Sequence, residues 1–177
     1  RIEDLTAAQL CEYRLENTDA CIPKFSEVLE LVDGKVPLIV ELKPVDNNHA
    51  ARTARACEVL SQYRGAYCIE SFDPRCILWL RKNRPEIIRG QLSENFLGNP
   101  KSGLPFLLRL IMTCQLGNFL SRPDFIAYKY GDRKRLSVWF CRKIWRIQGV
   151  SWTLKNKSDF DTAVKEGWLP IFEGFRP

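Results

Sequence analysis

The sequence has few of the residues that zinc sites and disulfide frameworks require. It contains one histidine, His49, and its seven cysteines include no CxxC pair. An odd number of scattered cysteines argues against both a zinc site and a disulfide framework. We therefore expect reduced, mostly buried cysteines in an intracellular, cytoplasmic protein.

Long apolar runs and targeting patterns are also missing. The longest apolar stretch, residues 104–120, is interrupted by Arg109, Gln115 and Asn118, whereas a membrane-spanning helix needs roughly 20 apolar residues. We expect no transmembrane segment, with peripheral membrane association left open. No signal peptide pattern is present. The chain starts at Arg1 and its only methionine is Met112, so we interpret it as a processed protein, a recombinant piece or a fragment.

The composition is that of an ordinary globular protein. The chain has 177 residues, of which 45% are hydrophobic and 27% charged, so we expect one domain over residues 1–177. The net charge of +6 suits an anionic partner such as a phosphate, a nucleic acid or a membrane surface.

Short strand-like runs alternate with helical patterns, which is typical of a parallel sheet with helices packed outside it. Helices are predicted over 25–32, 48–63, 74–83 and 133–145, and in a further helix capped by Ser158 and ended by Gly167. We expect the apolar face of the helix over 133–145 to consist of Leu136, Phe140 and Ile144. A long helical excursion should follow residue 93. The six predicted strands are 38–43, 66–72, 87–92, 124–129, 149–154 and 169–175.

The stretch LIVELKP, residues 38–44, is unusual for a strand between apolar runs. Its alternation places Glu41 and Lys43 together on one face. Because the carboxyl ends of parallel strands share one edge, where active sites are built, polar residues at those ends are the candidates for function. These candidates are Glu41, Lys43, Glu70, Ser71, Gln91, Ser93, Tyr128, Lys129, Trp152, Thr153 and Glu173.

Four segments carry a resemblance to a known family. They are IPKFSEVLELVDGKVPLIVELKP, YCIESFDPRCILWLRKNRPEIIRGQLS, VSWTLKN and IFEGF. In motif order, and over essentially the whole chain, the sequence resembles the glycerophosphodiester phosphodiesterases. That resemblance implies an α/β fold of the TIM (β/α)8-barrel type, of which strands three to eight are visible. It also implies metal-dependent hydrolysis of glycerophosphodiesters to glycerol phosphate and an alcohol, in lipid and glycerol metabolism.

The resemblance also implies roles for individual residues. Glu41 and Lys43 match the family's ExK signature, so Glu41 is expected to bind a divalent cation, Ca²⁺ or Mg²⁺, and Lys43 to face the phosphate as a catalytic and substrate-binding residue. Ser71 and Phe72 match an SF motif and are expected to contact the substrate, and Trp152 matches a WT motif whose ring would flank the glycerol. Lys129, at the end of the strand FIAYK, could add a second positive charge.

The family's HRG, ExD and HD motifs, which carry its two catalytic histidines and its other metal carboxylates, are not in this sequence. His49 matches neither histidine. Hydrolysis of a phosphodiester needs both a proton donor and a base. We therefore expect these 177 residues alone to have little or no activity, and the intact protein to be an enzyme.

Simpler explanations remain for each feature. Glu41 and Lys43 could form a structural ion pair, Asp73 could be only a helix cap, Lys129 could lie on the surface, and His49 could be solvated in the first turn of a helix. Gln91 and Glu173 could bind neighbouring backbone or face solvent. The segment after GQLS could form part of a lip over the substrate.

Two other classes of protein also fit the sequence. A non-catalytic phosphate-binding or interaction protein would keep Glu41 and Lys43 while lacking the histidines. A basic nucleic-acid-binding protein fits less well, and no nucleic acid partner is expected. Six strands of an eight-stranded barrel would leave two open edges, through which self-association is possible.

Overall fold

The computed structural model describes residues 2–45, 47–99 and 102–177, and it divides the chain into two compact units. The smaller unit comprises the chain up to Leu38 together with residues 55–66, and the larger comprises residues 39–54 and 67–177. The expectation of a single domain over residues 1–177 stays a prediction. All of the candidate functional residues belong to the larger unit.

Six strands form one sheet in which they follow their order in the chain. The four pairings from β2 to β6 are parallel, with Glu70 beside Gly90 and Lys129 beside Trp152 in the register. The sheet and its intervening helices have the architecture of an incomplete α/β barrel of the TIM type, which confirms the predicted fold class and strand count. The strands are β1 Leu38–Leu42, β2 Tyr67–Ser71, β3 Arg89–Ser93, β4 Phe125–Lys129, β5 Gln148–Leu154 and β6 Leu169–Phe172.

The helices of the described residues fall close to the predicted positions. They are α1 Ala7–Leu10, α2 Phe25–Val32, α3 His49–Leu60, α4 Pro74–Asn83, α5 Phe106–Thr113, α6 Asn118–Ser121, α7 Leu136–Lys143 and α8 Lys157–Lys165. The helix α2 matches its predicted bounds, and its last turn closes through Asp33 at φ 47° and Gly34 at φ 72°. A left-handed residue followed by glycine is a common way to end a helix.

The predicted cap of α8 is wrong by two residues. Asn156 is the N-cap, and its side chain accepts a hydrogen bond of 2.9 Å from the amide of Asp159. Ser158 lies inside the first turn of the helix. Both residue types cap helices well, so the spacing from Ser158 to Asp161 could not identify which position starts the helix.

The two faces of the sheet pack separate cores, because side chains alternate along each strand. On the outer face, Ile126, Tyr128 and Leu154 pack with Val138 and Cys141 of α7. The inner face is formed by another set of side chains. That set comprises Leu92, Phe125, Ala127 and Val150, with Cys68, Phe72, Trp152 and Ile171 packed against them.

The predicted buried face of α7 is wrong. Leu136, Phe140 and Ile144 are exposed, whereas Val138 and Cys141 are buried. The smaller Val138 and Cys141 lie three residues apart on one side of the helix and pack against Tyr128 in the outer core. The larger apolar side chains therefore face away from the sheet.

The excursion between β3 and β4 is partly helical, as expected. A 3₁₀ turn over Phe96–Gly98 precedes α5 and α6, while residues 100 and 101 lie outside the described residues. Within the described ranges, no helix is long and apolar enough to cross a membrane.

Replacement of the α4 cap tests the local folding argument. Asp73 accepts a 2.9 Å hydrogen bond from the Arg75 amide, and Pro74 occupies the first turn. We expect Asp73→Ala to lower the free energy of unfolding by about 1 kcal/mol, the usual value of an N-cap side chain, in a urea titration. The control Asp161→Ala removes an exposed pair with Lys157 and should cost less than about 0.5 kcal/mol. Equal losses would contradict the assignment of the cap.

Candidate functional site

The candidate site begins with two charged side chains on the inner face at the end of β1. The Nζ atom of Lys43 lies 3.4 Å from Oε2 of Glu41. The lysine side chain is 75% exposed and the glutamate side chain 31% exposed. A pair this accessible contributes little to stability, so the lysine can exchange Glu41 for an anionic ligand at small cost.

Glu70 on β2 adds a second carboxylate, and it has a different environment. The residue is only 5% exposed, and its Oε2 atom is buried without a hydrogen-bond partner. Burial, with a smaller contribution from the negative charge of Glu41, raises the pKa of Glu70 to about 7. The sequence placed Glu70 at a strand end but gave no reason to assign it a ligand role.

Aromatic side chains form the next part of the inner face. Phe72 contacts Trp152 edge to face, with ring centroids 5.6 Å apart, and contacts Phe96 in the same manner at 6.1 Å. The indole N–H of Trp152 donates a 3.0 Å hydrogen bond to the Ala127 carbonyl. These contacts fix the orientation of the indole, so Phe72 and Trp152 form a rigid apolar wall.

Lys129 is not a free cation in this structure. Its Nζ atom lies 2.9 Å from Oε2 of Glu94, in a hydrogen-bonded ion pair. Glu173, at the end of β6, is paired in a similar way with Lys155 at 3.1 Å. Of the two lysines predicted to meet the phosphate, Lys43 is therefore the one with the more exposed charge.

Ser71 and Gln91 are not brought to the inner face with the carboxylates. Ser71 is fully buried, and its hydroxyl donates to the Leu42 carbonyl at 2.7 Å and accepts from the Asp73 amide at 3.1 Å. The Gln91 amide donates to the carbonyls of Ser71 and Phe72 at 3.0 and 3.1 Å. In this structure both side chains hold the ends of β1, β2 and β3 in place. The predicted substrate contact of Ser71 stays a prediction.

Asp73 caps α4, as its simpler interpretation proposed. Burial alone would raise the pKa of Asp73, but hydrogen bonds from Arg75 lower it below its ordinary value. His49 is the first residue of α3, also as expected, but its Nδ1 atom is buried without a hydrogen-bond partner rather than solvated. Neither residue forms an ion pair or hydrogen bond with Glu41 or Glu70 in the part of the chain that is described.

The excursion after β3 covers a cleft of about 720 Å³ beside these strand ends. Phe96, Leu104, Leu108 and Met112 line it from the excursion, and Phe72 lines it from the end of β2. Two strand-end residues anchor the segment: Ser93 donates to the Met112 carbonyl at 2.7 Å, and Tyr128 donates to the Thr113 carbonyl at 3.1 Å. This position agrees with a lip over a ligand.

The carboxylates suit a hard divalent cation, which prefers oxygen ligands. Glu41 and Glu70 supply such oxygens, and the unpartnered Oε2 atom of Glu70 has no other bonding partner. Among the described residues, however, no group of three or more histidine, cysteine, aspartate and glutamate side chains could hold a metal. Glu41 and Glu70 by themselves are therefore fewer ligands than such a cation takes.

Comparisons with known proteins gave matches only among solved structures, since no family model and no curated protein matches the chain. A phosphodiesterase from Oleispira antarctica, solved with its product sn-glycerol 3-phosphate, aligns with 87% of this chain at 18% identity and a TM-score of 0.68. A glycerophosphodiester phosphodiesterase from Parabacteroides distasonis aligns with 94% at 13% identity and a TM-score of 0.66. Another, from Agrobacterium tumefaciens, aligns with 88% at 14% identity and a TM-score of 0.56.

The matched region is only part of each of these proteins. It covers 58% of the Oleispira chain, 66% of the Parabacteroides chain and 60% of the Agrobacterium chain. At these identities the similarity concerns the fold. The order of the strands and helices in this chain supports the same fold independently. The chain therefore has the fold of the glycerophosphodiester phosphodiesterase family, over somewhat more than half of the length of those enzymes.

Proposed function

We propose that this chain supplies the cation-binding and phosphate-binding part of a site that hydrolyses glycerophosphodiesters to glycerol phosphate and an alcohol. The observation that carries the proposal is the arrangement of Glu41, Lys43 and Glu70 at neighbouring strand ends of this fold. The intact protein would be a phosphoric diester hydrolase.

Lys43 is the group that would bind the phosphodiester. Its ammonium is exposed and lies 3.4 Å from Glu41, so an incoming phosphate can replace or share that carboxylate. An ion-paired hydrogen bond to phosphate is stronger than a neutral one. Lys43 would thus orient the phosphorus and offset negative charge as the alcohol leaves.

Glu41 and Glu70 would hold a divalent cation, Ca²⁺ or Mg²⁺. When bound, such a cation supplies Lewis-acid polarisation of a phosphoryl oxygen. The two carboxylates themselves would fix its position, and Glu70 would give up the proton that burial favours. The Phe72–Trp152 wall would exclude water from one side of the substrate and flank its glycerol part.

Proton transfer is the part that these residues do not provide. The only histidine of the sequence, His49, lies at the start of α3, and within the described part of the chain it forms no hydrogen bond or ion pair with Glu41 or Glu70. A group that protonates the leaving alkoxide and a base for the attacking oxygen are both required. We therefore expect binding without efficient turnover from these 177 residues.

Binding of sn-glycerol 3-phosphate in the presence of Ca²⁺ tests the role of Lys43. We expect Lys43→Ala to weaken the affinity of the 177-residue chain by roughly tenfold, the effect of losing one hydrogen bond to a charged group, in ³¹P NMR titrations. The control Lys165→Ala removes an exposed lysine at the end of α8 and should leave the affinity unchanged. Equal weakening by both variants would show that Lys43 contributes only general charge.

A turnover assay on glycerophosphocholine with Ca²⁺ or Mg²⁺ tests whether these 177 residues bind the substrate without hydrolysing it. We expect the rate of the 177-residue chain to stay at the background level even where glycerol 3-phosphate binds. Robust turnover would overturn that expectation. Absence of both binding and turnover would favour an interaction protein without phosphate recognition.

The raised pKa of Glu70 predicts a pH dependence of stability without added cations. Glu70 holds its proton to about pH 7 in the folded chain, whereas an unfolded glutamate loses it near pH 4.5. The folded state then binds more protons between these values, so the contribution of Glu70 to stability is present at low pH and lost as the pH rises through 7.

Urea titrations from pH 4.5 to 8 in EDTA measure whether the stability falls as the pH rises. We expect wild type to lose stability relative to Glu70→Gln as the pH rises, and Ca²⁺ to recover part of that loss at pH 8 only when Glu70 is present. The exposed Glu30→Gln serves as the control and should follow wild type. A difference between wild type and Glu70→Gln that does not vary with pH would contradict the predicted protonation.

A further inference from the structure

The side of α6 and α7 that faces away from the sheet carries an unusual number of exposed apolar side chains. We call this the α6–α7 surface. Leu136 is 79% exposed and Phe119 is 61% exposed. Exposure of single leucines is common, but a contiguous set of large apolar groups marks a binding surface. The surface consists of Leu116, Phe119, Leu120, Leu136, Phe140 and Ile144.

Direct contacts show that these side chains are contiguous. Trp145 packs edge to face against Phe119 from α6, with ring centroids 4.5 Å apart, and against Phe140 from α7 at 5.2 Å. Leu116, Phe119, Leu136 and Phe140 line one open groove of about 560 Å³. The indole thus joins the two helices into one apolar surface.

Basic residues are frequent in the segment that carries the α6–α7 surface. Residues 104–147 contain nine basic and two acidic residues; Lys129 and Arg133 are paired with Glu94 and Glu166 outside the segment, which leaves a net charge of +5. Arg122 follows Leu120 at the end of α6, and Lys143 and Arg146 flank Ile144. These three side chains are exposed, and within the described residues no carboxylate lies within ion-pair distance of any of them.

We infer that the α6–α7 surface docks on an anionic lipid bilayer, with α7 lying in the interface. The apolar side chains can insert at the boundary of the acyl chains. The unpaired cations beside them can contact the anionic headgroups. Trp145 and Trp139 have amphipathic rings, which favour the level of the lipid headgroups. The helix α7, with eight residues, is too short to span the bilayer. This inference does not depend on the proposed hydrolysis.

A second copy of the chain is the main competing occupant. A self-complementary interface would need the cations of one copy to face carboxylates of the other. Asp124 and Asp132 are the only acidic residues in the basic segment. Asp124 already lies 3.6 Å from Arg89, and Asp132 accepts a hydrogen bond from the amide of Asn95. The charge of this face therefore favours an anionic surface over its own copy.

Pelleting with sucrose-loaded vesicles tests the inference on the 177-residue chain. We expect binding to phosphatidylcholine vesicles that contain 30% phosphatidylserine, and at least about tenfold weaker binding to pure phosphatidylcholine. Leu136→Glu should weaken binding to the anionic vesicles by at least about tenfold. Its matched control is Leu31→Glu on α2, where the leucine is 78% exposed, and this variant should bind like wild type.

Charge reversal separates the contribution of the cations. The double variant Lys143→Glu/Arg146→Glu should lose at least about 25-fold in affinity for anionic vesicles, since each lost cation removes roughly fivefold and each new carboxylate is repelled by the surface. Lys157→Glu/Lys165→Glu on α8 changes the net charge equally and should lose much less. Equal losses in the two double variants, or equal losses in the two leucine variants, would overturn the inference.

Light scattering without vesicles tests whether the α6–α7 surface is instead an interface between two copies of the chain. We expect Leu136→Glu and wild type to have the same mass at the concentrations used for pelleting. A wild-type dimer that Leu136→Glu converts to a monomer, without vesicle binding by wild type, would show instead that the surface is an interface between copies.

Discussion

The burial of one carboxylate, Glu70, beside a second, Glu41, is the constraint on which this site depends. Glu41 and Glu70 lie on adjacent strands, and Glu70 is buried with one oxygen unpartnered. A buried, uncompensated carboxylate is costly in an apolar interior, and here the raised pKa of Glu70 shows that the fold favours its neutral form. Such an arrangement reduces stability by itself, and a bound cation would remove the repulsion and supply the missing partner.

The rest of the strand edge holds this pair in place. Ser71 and Gln91 use their side chains to fix the backbone ends of β1, β2 and β3. The Ser71 hydroxyl and the Gln91 amide nitrogen are buried and satisfied by these hydrogen bonds, whereas Oε1 of Gln91 is buried without a partner. Because they bind main-chain carbonyls, they position Glu70 and Phe72 without facing a ligand themselves. A polar residue at a strand end can thus support a site from the opposite face of the sheet.

The sequence could predict the fold because period-two and helical patterns, with glycine and proline punctuation, repeat along the chain. It also predicted that Glu41 and Lys43 lie together, and their charged atoms are 3.4 Å apart in the structure. The environment of Glu70 was not predictable, because its burial and its electrostatic interaction with Glu41 depend on a residue 29 positions away in the sequence, on another strand. The pairing of Lys129 with Glu94 was missed for the same reason.

The orientation of α7 was mispredicted for a reason that bears on function. Periodicity assigns the largest apolar residues to the core, yet the sheet accepts Val138 and Cys141 and leaves Leu136 and Phe140 exposed. A helix can therefore have two apolar sides, only one of which is used in folding. The side of α7 that carries Leu136 and Phe140 does not pack on the sheet, and the basic residues beside it favour contact with an anionic partner.

One segment connects the cleft with the α6–α7 surface. The excursion after β3 lines the cleft through Leu104, Leu108 and Met112, and it ends in α6, which carries Phe119 and Leu120 to the exposed apolar surface. Hydrogen bonds from Ser93 and Tyr128 hold its middle to the ends of β3 and β4. A contact that moves α6 would therefore act on the wall of the cleft through continuous backbone. The surface that we infer to dock on lipid and the wall of the cleft therefore share one segment of the chain.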